Sequence, residues 1–274
     1  MALPQRAAER VLDELKVAGP QDLQLLDLIA QARGATVVYK PLSGAEARLA
    51  VWGQEAVITV SSLIVDSHRQ RFSVAHELGH FEMHRHRSRV MICTSQDIDS
   101  WGRQKPDAAL EHEANEFAAA LLLPERFFAP RCQDKDPSLD FVAHLANTFD
   151  VSLTATGIRY LTFCEEACAL VFSQDGYIKW FYGSKEFRRQ EIFIDVKAKL
   201  DSTTLAAAHF QNKFGQVSPK RVRASSWFEQ GAYRDDATVL EQSWLMHKYN
   251  AVLTLLWIDQ DIDDDNDFWL GRRH

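Results

Sequence analysis

The sequence predicts an α+β fold, and three observations carry the prediction. Helical apolar spacing fills residues 3–32, short apolar runs bounded by turn residues fill 35–60, and two longer helical patterns follow at 71–81 and 111–124. Beyond Ala167 the pattern changes again to strands. At 274 residues, 46% hydrophobic and 25% charged, the composition is that of a globular protein with room for about two domains.

Within residues 3–17, Ala7, Val11, Leu12, Leu15 and Val17 form the apolar set of a first helix, stopped by Gly19 and Pro20. Asp22 stands as the N-cap of a second helix, which Leu23, Leu25, Leu26, Leu28, Ile29 and Ala32 bury up to Gly34. Residues 35–39, 47–52 and 56–60 read as strands of a hairpin-rich sheet, with Gly53 closing the second.

Residues 71–81 read Arg-Phe-Ser-Val-Ala-His-Glu-Leu-Gly-His-Phe. Phe72, Ala75, Gly79 and Met83 share one side of a helix, and Val74, Leu78 and Phe81 the other, so the segment is a buried helix. At about 1.5 Å rise per residue, His76 and His80 lie one turn apart on the same face, where both imidazoles reach one ion. Glu77 beside them is placed to take a proton from water, the general-base role in an H-E-x-x-H zinc site. A solvated helix would not surround its His pair with Val74, Ala75, Leu78 and Phe81, because buried imidazoles need partners.

Residues 111–124 supply the third ligand. Glu111, Ala114, Asn115, Ala118, Leu121 and Leu122 fall on one helical face, so a carboxylate and an amide share an otherwise apolar stripe. Glu111 is the candidate ligand, and Asn115 one turn on can hold a histidine by its other ring nitrogen. Glu113 projects about 160° from Asn115 and is the alternative ligand if the helix is rotated.

Together the two segments resemble the ImmA/IrrE family of metallopeptidases. Its signature, R-F-x-x-A-H-E-L-G-H followed by E-x-x-A-N-x-F-A-x-x-L-L-M-P, is met by residues 71–80 and 111–124, with Leu123 in place of the usual Met. The resemblance extends to about Leu161. It implies a zincin-like domain and a cytoplasmic, Zn2+-dependent endopeptidase that cleaves a helix-turn-helix repressor, switching on a stress, mobile-element or antiphage response.

The connection between the two motif helices opens with His84-Arg85-His86-Arg87-Ser88-Arg89. It reads as a solvated loop or as a basic lip suited to an acidic substrate or nucleic acid. His84, one turn beyond His80, is a weak candidate ligand. In the same connection Cys93 sits in the apolar stretch Val90-Met91-Ile92-Cys93, either as a buried anchor or as a fourth zinc ligand. Residues 138–149 and 153–161 form a helix pair around an Asp150-Val151-Ser152 turn, like the helix-turn-helix of the resembled family. Only Arg159 in the second helix could read a base edge, which favours packing or substrate docking over DNA recognition.

From Ala167, residues 169–172 and 177–182 flank Asp175-Gly176, a hairpin signal, and 226–228 and 251–258 read as further strands. The resemblance implies a GAF-like sensor here, with a regulatory ligand or nucleic acid as its partner. The acidic stretch at 259–267 lacks the Gly and Glu of a calcium loop and reads as a solvated tail.

The net charge of −7 argues against coating nucleic acid. No apolar run has the roughly 18 residues of a membrane span, no signal peptide opens the chain, and Cys93, Cys132, Cys164 and Cys168 are spaced like reduced thiols. The expected organisation is a peptidase domain at 1–136, a helix-turn-helix-like segment at 137–163 and a regulatory domain at 164–274. His76, His80 and Glu111 are the expected metal ligands and Glu77 the catalytic residue. The rival readings are a transcription regulator with a structural metal and a metallohydrolase of small molecules.

Overall fold

The computed structural model describes residues 2–86, 90–93, 108–133, 135–190, 192–211, 218–229 and 236–258. The chain divides into two compact units, residues 1–131 with 146–152, and residues 132–145 with 153–274. The acidic stretch 259–267 and residues 87–89 of the basic run lie outside the described residues.

In the first unit, helix α1 (Leu3–Glu14) buries Pro4, Ala7, Ala8, Val11 and Leu12 along one stripe. It ends three residues before the expected Val17 because Lys16 turns left-handed at φ 55°. The Val17 N–H then donates to the Leu12 carbonyl at 2.9 Å, which satisfies an end carbonyl. The expected second helix is two, α2 (Pro20–Leu23) and α3 (Leu26–Ala32). Asp22 works backwards from inside α2, accepting from the Ala18 N–H at 2.8 Å and the Gly19 N–H at 3.3 Å rather than capping a helix that starts after it. After α3, Gly34 has φ 89° and a Cβ there would stand 2.7 Å from the Gln54 carbonyl oxygen, so only glycine fits this turn.

Strands β1 (Ala35–Lys40), β2 (Ala47–Trp52), β3 (Glu55–Ser61) and β4 (Val90–Cys93) make a sheet in the order β1-β3-β2-β4. The β2–β3 hairpin is the one expected at Gly53, but β1 runs parallel to β3 and does not neighbour β2. Helix α4 (Ser67–His84) packs on this sheet and against helix α5 (Ala108–Leu122). Helix α6 (Glu125–Cys132) follows.

Helices α7 (Leu139–Phe149) and α8 (Leu153–Leu161) are the expected pair, with Asp150 left-handed at φ 53° between them. Every residue of α8 is buried or half-buried. A Cβ on Gly157 would meet Leu170 at 2.8 Å, so α8 lies close against the next strand.

The second unit is built on a five-stranded antiparallel sheet of β5 (Cys168–Gln174), β6 (Tyr177–Gly183), β7 (Lys220–Arg223), β8 (Thr238–Met246) and β9 (Ala251–Trp257), in the order β6-β5-β9-β8-β7. Asp175 and Gly176, both at positive φ, turn the β5–β6 hairpin. Strand β9 is buried on both faces, as its unbroken apolar run predicts. Short helices α9 (Lys185–Arg189) and α10 (Leu205–Phe210) complete the unit. Residues 226–228, expected as a strand, instead follow a 3-10 turn, and Trp227 and Phe228 enter the core from there. Among the described residues no helix is long and apolar enough to cross a membrane.

Candidate metal centre

Helix α4 begins at Asp66, whose carboxylate accepts the Arg69 N–H at 3.1 Å. From Ser73 to Phe81 every residue is buried, including His76, Glu77 and His80. Closeness to α5 depends on Gly79, because a Cβ there would stand 2.9 Å from the Phe117 ring. The missing side chain lets the two helices approach until Glu111 faces the two histidines. Arg71, the first residue of the motif, ties the helix to its surroundings. Its guanidinium donates to the carbonyls of Leu23 at 2.9 Å, Gln24 at 3.2 Å and Asp150 at 3.1 Å, and pairs with the Asp150 carboxylate.

Three ligand atoms converge. The Nε2 atoms of His76 and His80 are 3.1 Å apart, Glu111 Oε2 is 3.1 Å from the first and Glu111 Oε1 is 3.4 Å from the second. Tetrahedral zinc, with bonds of about 2.0–2.1 Å, spaces its ligand atoms about 3.3 Å apart. Cys93 Sγ is 3.9 Å from Glu111 Oε2, and all four residues offer ligand atoms within 4.8 Å of one another.

The remaining ring nitrogens decide where the protons sit. His76 Nδ1 is 2.9 Å from Asn115 Oδ1, so it donates and leaves Nε2 with a lone pair. His80 Nδ1 is 3.0 Å from His84 Nδ1, and His84 Nε2 is 2.8 Å from Glu113 Oε2. A carboxylate only accepts, so His84 donates to Glu113, accepts from His80, and leaves the His80 Nε2 lone pair facing the same point. Two imidazole lone pairs and a carboxylate aimed at one another repel unless a cation lies between them. The donor set therefore fits a bound metal ion.

Glu113 thus belongs to the relay that orients His80, and the structure does not bring it to the converging ligand atoms. His84 occupies the middle of that relay. The sequence offers Glu113 and His84 as alternative ligands, and the signal for the relay is a third histidine one turn beyond His80 on a buried helix.

The Glu111 carboxyl is pushed up by burial, but the adjoining His76 and His80 rings outweigh this and hold it well below the usual carboxylate range. Glu77 is different. It is fully buried, neither of its oxygens has a hydrogen-bond partner among the described residues, and burial pushes its carboxyl up to about 7. His80 and Cys93 act in the opposite, lowering sense, and Glu111 adds to the rise.

Residues 30–160 match the family model Peptidase_M78, described as the IrrE N-terminal-like domain. The match runs from inside α3 through the sheet and both motif helices into α8. Among solved structures, a Mycobacterium tuberculosis transcriptional regulator has a similar fold, with a TM-score of 0.55 and 17% identity over 94% of this chain and 77% of that one. No curated protein matches the chain.

Proposed function

Because residues 30–160 match the model of the IrrE N-terminal-like peptidase domain, we propose that the chain is a zinc-dependent endopeptidase acting on a helix-turn-helix repressor. The observation that supports the catalytic reading best is the pairing of a lone-pair triad with a buried carboxyl that has no partner of its own. His76, His80 and Glu111 would hold the ion, with Asn115 and the His84–Glu113 relay fixing the two rings. Zinc, when bound, supplies Lewis acidity that polarises a peptide carbonyl and acidifies water. Glu77 takes a proton from the attacking water on a carboxylate oxygen and delivers it to the leaving amine nitrogen.

The repressor as substrate, the cytoplasmic setting and a GAF-like regulatory role for the second unit rest on the family resemblance. The test is to incubate the protein with the purified repressor encoded beside its gene, with zinc and with chelator, and to locate any cut by mass spectrometry. One chelator-sensitive cleavage is expected. Glu77→Gln should keep the metal and lower the rate by about 10²–10⁴-fold. Unchanged cleavage by that variant at equal zinc content would remove Glu77 from the chemistry, and a structural metal in a transcription regulator would become the better reading.

A further inference from the structure

His76, His80 and Glu111 supply three ligand atoms, and Cys93 is the fourth residue of the same cluster. We propose that Cys93 is a fourth ligand, so that a thiolate closes the resting metal centre and keeps the peptidase latent. The inference rests on the proposed metal site and deepens it.

The backbone places this cysteine rather than leaving it to chance. Cys93 ends β4, the edge strand of the first sheet, and pairs with Ala47 of β2. Its carbonyl accepts the Glu46 N–H at 3.0 Å. The Glu46 carboxylate is in turn gripped by Arg69 of α4, through Nε at 2.7 Å and Nη2 at 3.2 Å. The residue before β2 is therefore tied both to Cys93 and to the helix that carries the two histidines.

The side chain is 1% exposed, and its sulfur lies 3.9 Å from Glu111 Oε2. With metal–sulfur and metal–nitrogen bonds of about 2.3 and 2.0–2.1 Å, a tetrahedral centre needs a sulfur-to-ligand spacing of about 3.6 Å. The sulfur is near that spacing from Glu111, and its whole cluster of ligand atoms lies within 4.8 Å. Glu77, on the same helix as the two histidines, is fully buried and lies within reach of the same thiol.

Closed four-coordinate centres are structural, and open ones catalytic. As the sulfur–metal bond forms, the thiol proton leaves to solvent and the position a water would use is filled. Among the described residues strand β4 pairs with β2 over four residues, so withdrawing Cys93 breaks that short ladder and the Glu46 hydrogen bond to its carbonyl.

The full-length protein loaded with cobalt(II) reports the ligand directly. One cobalt per chain with a sulfur-to-cobalt charge-transfer band in the near ultraviolet, lost in Cys93→Ala and in Cys93→Ser at equal metal content, is the expected result. Basal cleavage of the repressor should rise in both variants. Stoichiometric cobalt with only nitrogen and oxygen ligands in the wild type overturns the Cys93 role and leaves the three-ligand site standing. Failure to bind metal, or binding unchanged in His76→Ala, overturns the site itself. Because the wild-type spectrum alone decides the ligand, a variant that fails to fold does not protect the proposal.

Discussion

Both units bury polar side chains, and they do opposite things with them. In the second unit Glu241 is buried on β8, but every role it plays is visible. It accepts the Ala206 N–H at 2.8 Å, the Trp227 indole N–H at 3.1 Å and the Ser243 hydroxyl at 2.9 Å. Its neighbour Gln242, on the opposite face, accepts the Leu139 N–H at 2.7 Å and donates to Asp140 at 2.7 Å. One strand thus caps the N-termini of α10 and α7 from its two faces. In the first unit the outer nitrogens of His76 and His80 are equally well satisfied, yet their inner lone pairs converge with Glu111 on one point and Glu77 has no partner. Buried polarity therefore does not mark a functional site. What sets the first unit apart is the convergence of His76, His80 and Glu111 on one point.

The contrast breaks most visibly at the ligands. Glu111→Ala should lower zinc occupancy sharply, measured by elemental analysis of protein purified with zinc, because it removes the carboxylate from the converging set and leaves two imidazoles and the Cys93 thiolate. Full zinc occupancy in that variant would show that the carboxylate merely neutralises the histidines. Glu241→Ala should do the reverse. It leaves the Ala206 and Trp227 N–H groups buried without an acceptor, at about 1–3 kcal/mol each. Denaturant unfolding should show the loss while zinc content stays at the wild-type value.

pH separates the two buried glutamates further. In metal-free protein the Glu77 carboxyl is raised to about 7 from its usual 4.5, so the folded state keeps a proton that the unfolded chain releases. Stability is then greatest below about pH 4.5 and falls as pH rises towards 7, by on the order of 3 kcal/mol for this group alone. Chelated wild type should show this slope in urea midpoints and chelated Glu77→Gln should lack it. Burial also raises Glu241, against hydrogen bonds that lower it, so the part of the slope surviving in Glu77→Gln belongs to such groups. An identical slope in both proteins would show that Glu77 is solvated after all.

Much of this was legible in the sequence, for physical reasons that also explain the misses. The H-E-x-x-H helix declares itself because apolar residues surround its polar ones at helical spacing, and the β5–β6 hairpin because Asp175-Gly176 is a local turn code. Strand β8 escaped notice because Glu241, Gln242 and Ser243 look like loop residues until the distant helix ends they cap are known. The parallel pairing of β1 with β3 is likewise non-local, whereas local signals suggest hairpins. The break between α2 and α3 falls in a run of leucines whose periodicity continues straight through it.

The smallest effect tests a polar pair in the first unit that resembles those of the second. His84 and Glu113 are mutually satisfied, 29 positions apart in the chain, and touch no converging ligand atom. If they were merely structural, as Glu241 is, removing them would cost stability and leave metal affinity alone. The proton directions argue otherwise, because His80 Nδ1 donates to His84 only while His84 Nε2 donates to Glu113. Without that chain His80 is free to rotate or to place its proton on Nε2, the atom the metal needs. Outer partners of this kind affect metal affinity by about 10–100-fold. Competition with a chromophoric chelator should therefore show zinc affinity falling within that range in Glu113→Ala and recovering in Glu113→Gln, whose amide oxygen still accepts from His84. Wild-type affinity in Glu113→Ala would place the pair with the structural networks of the second unit.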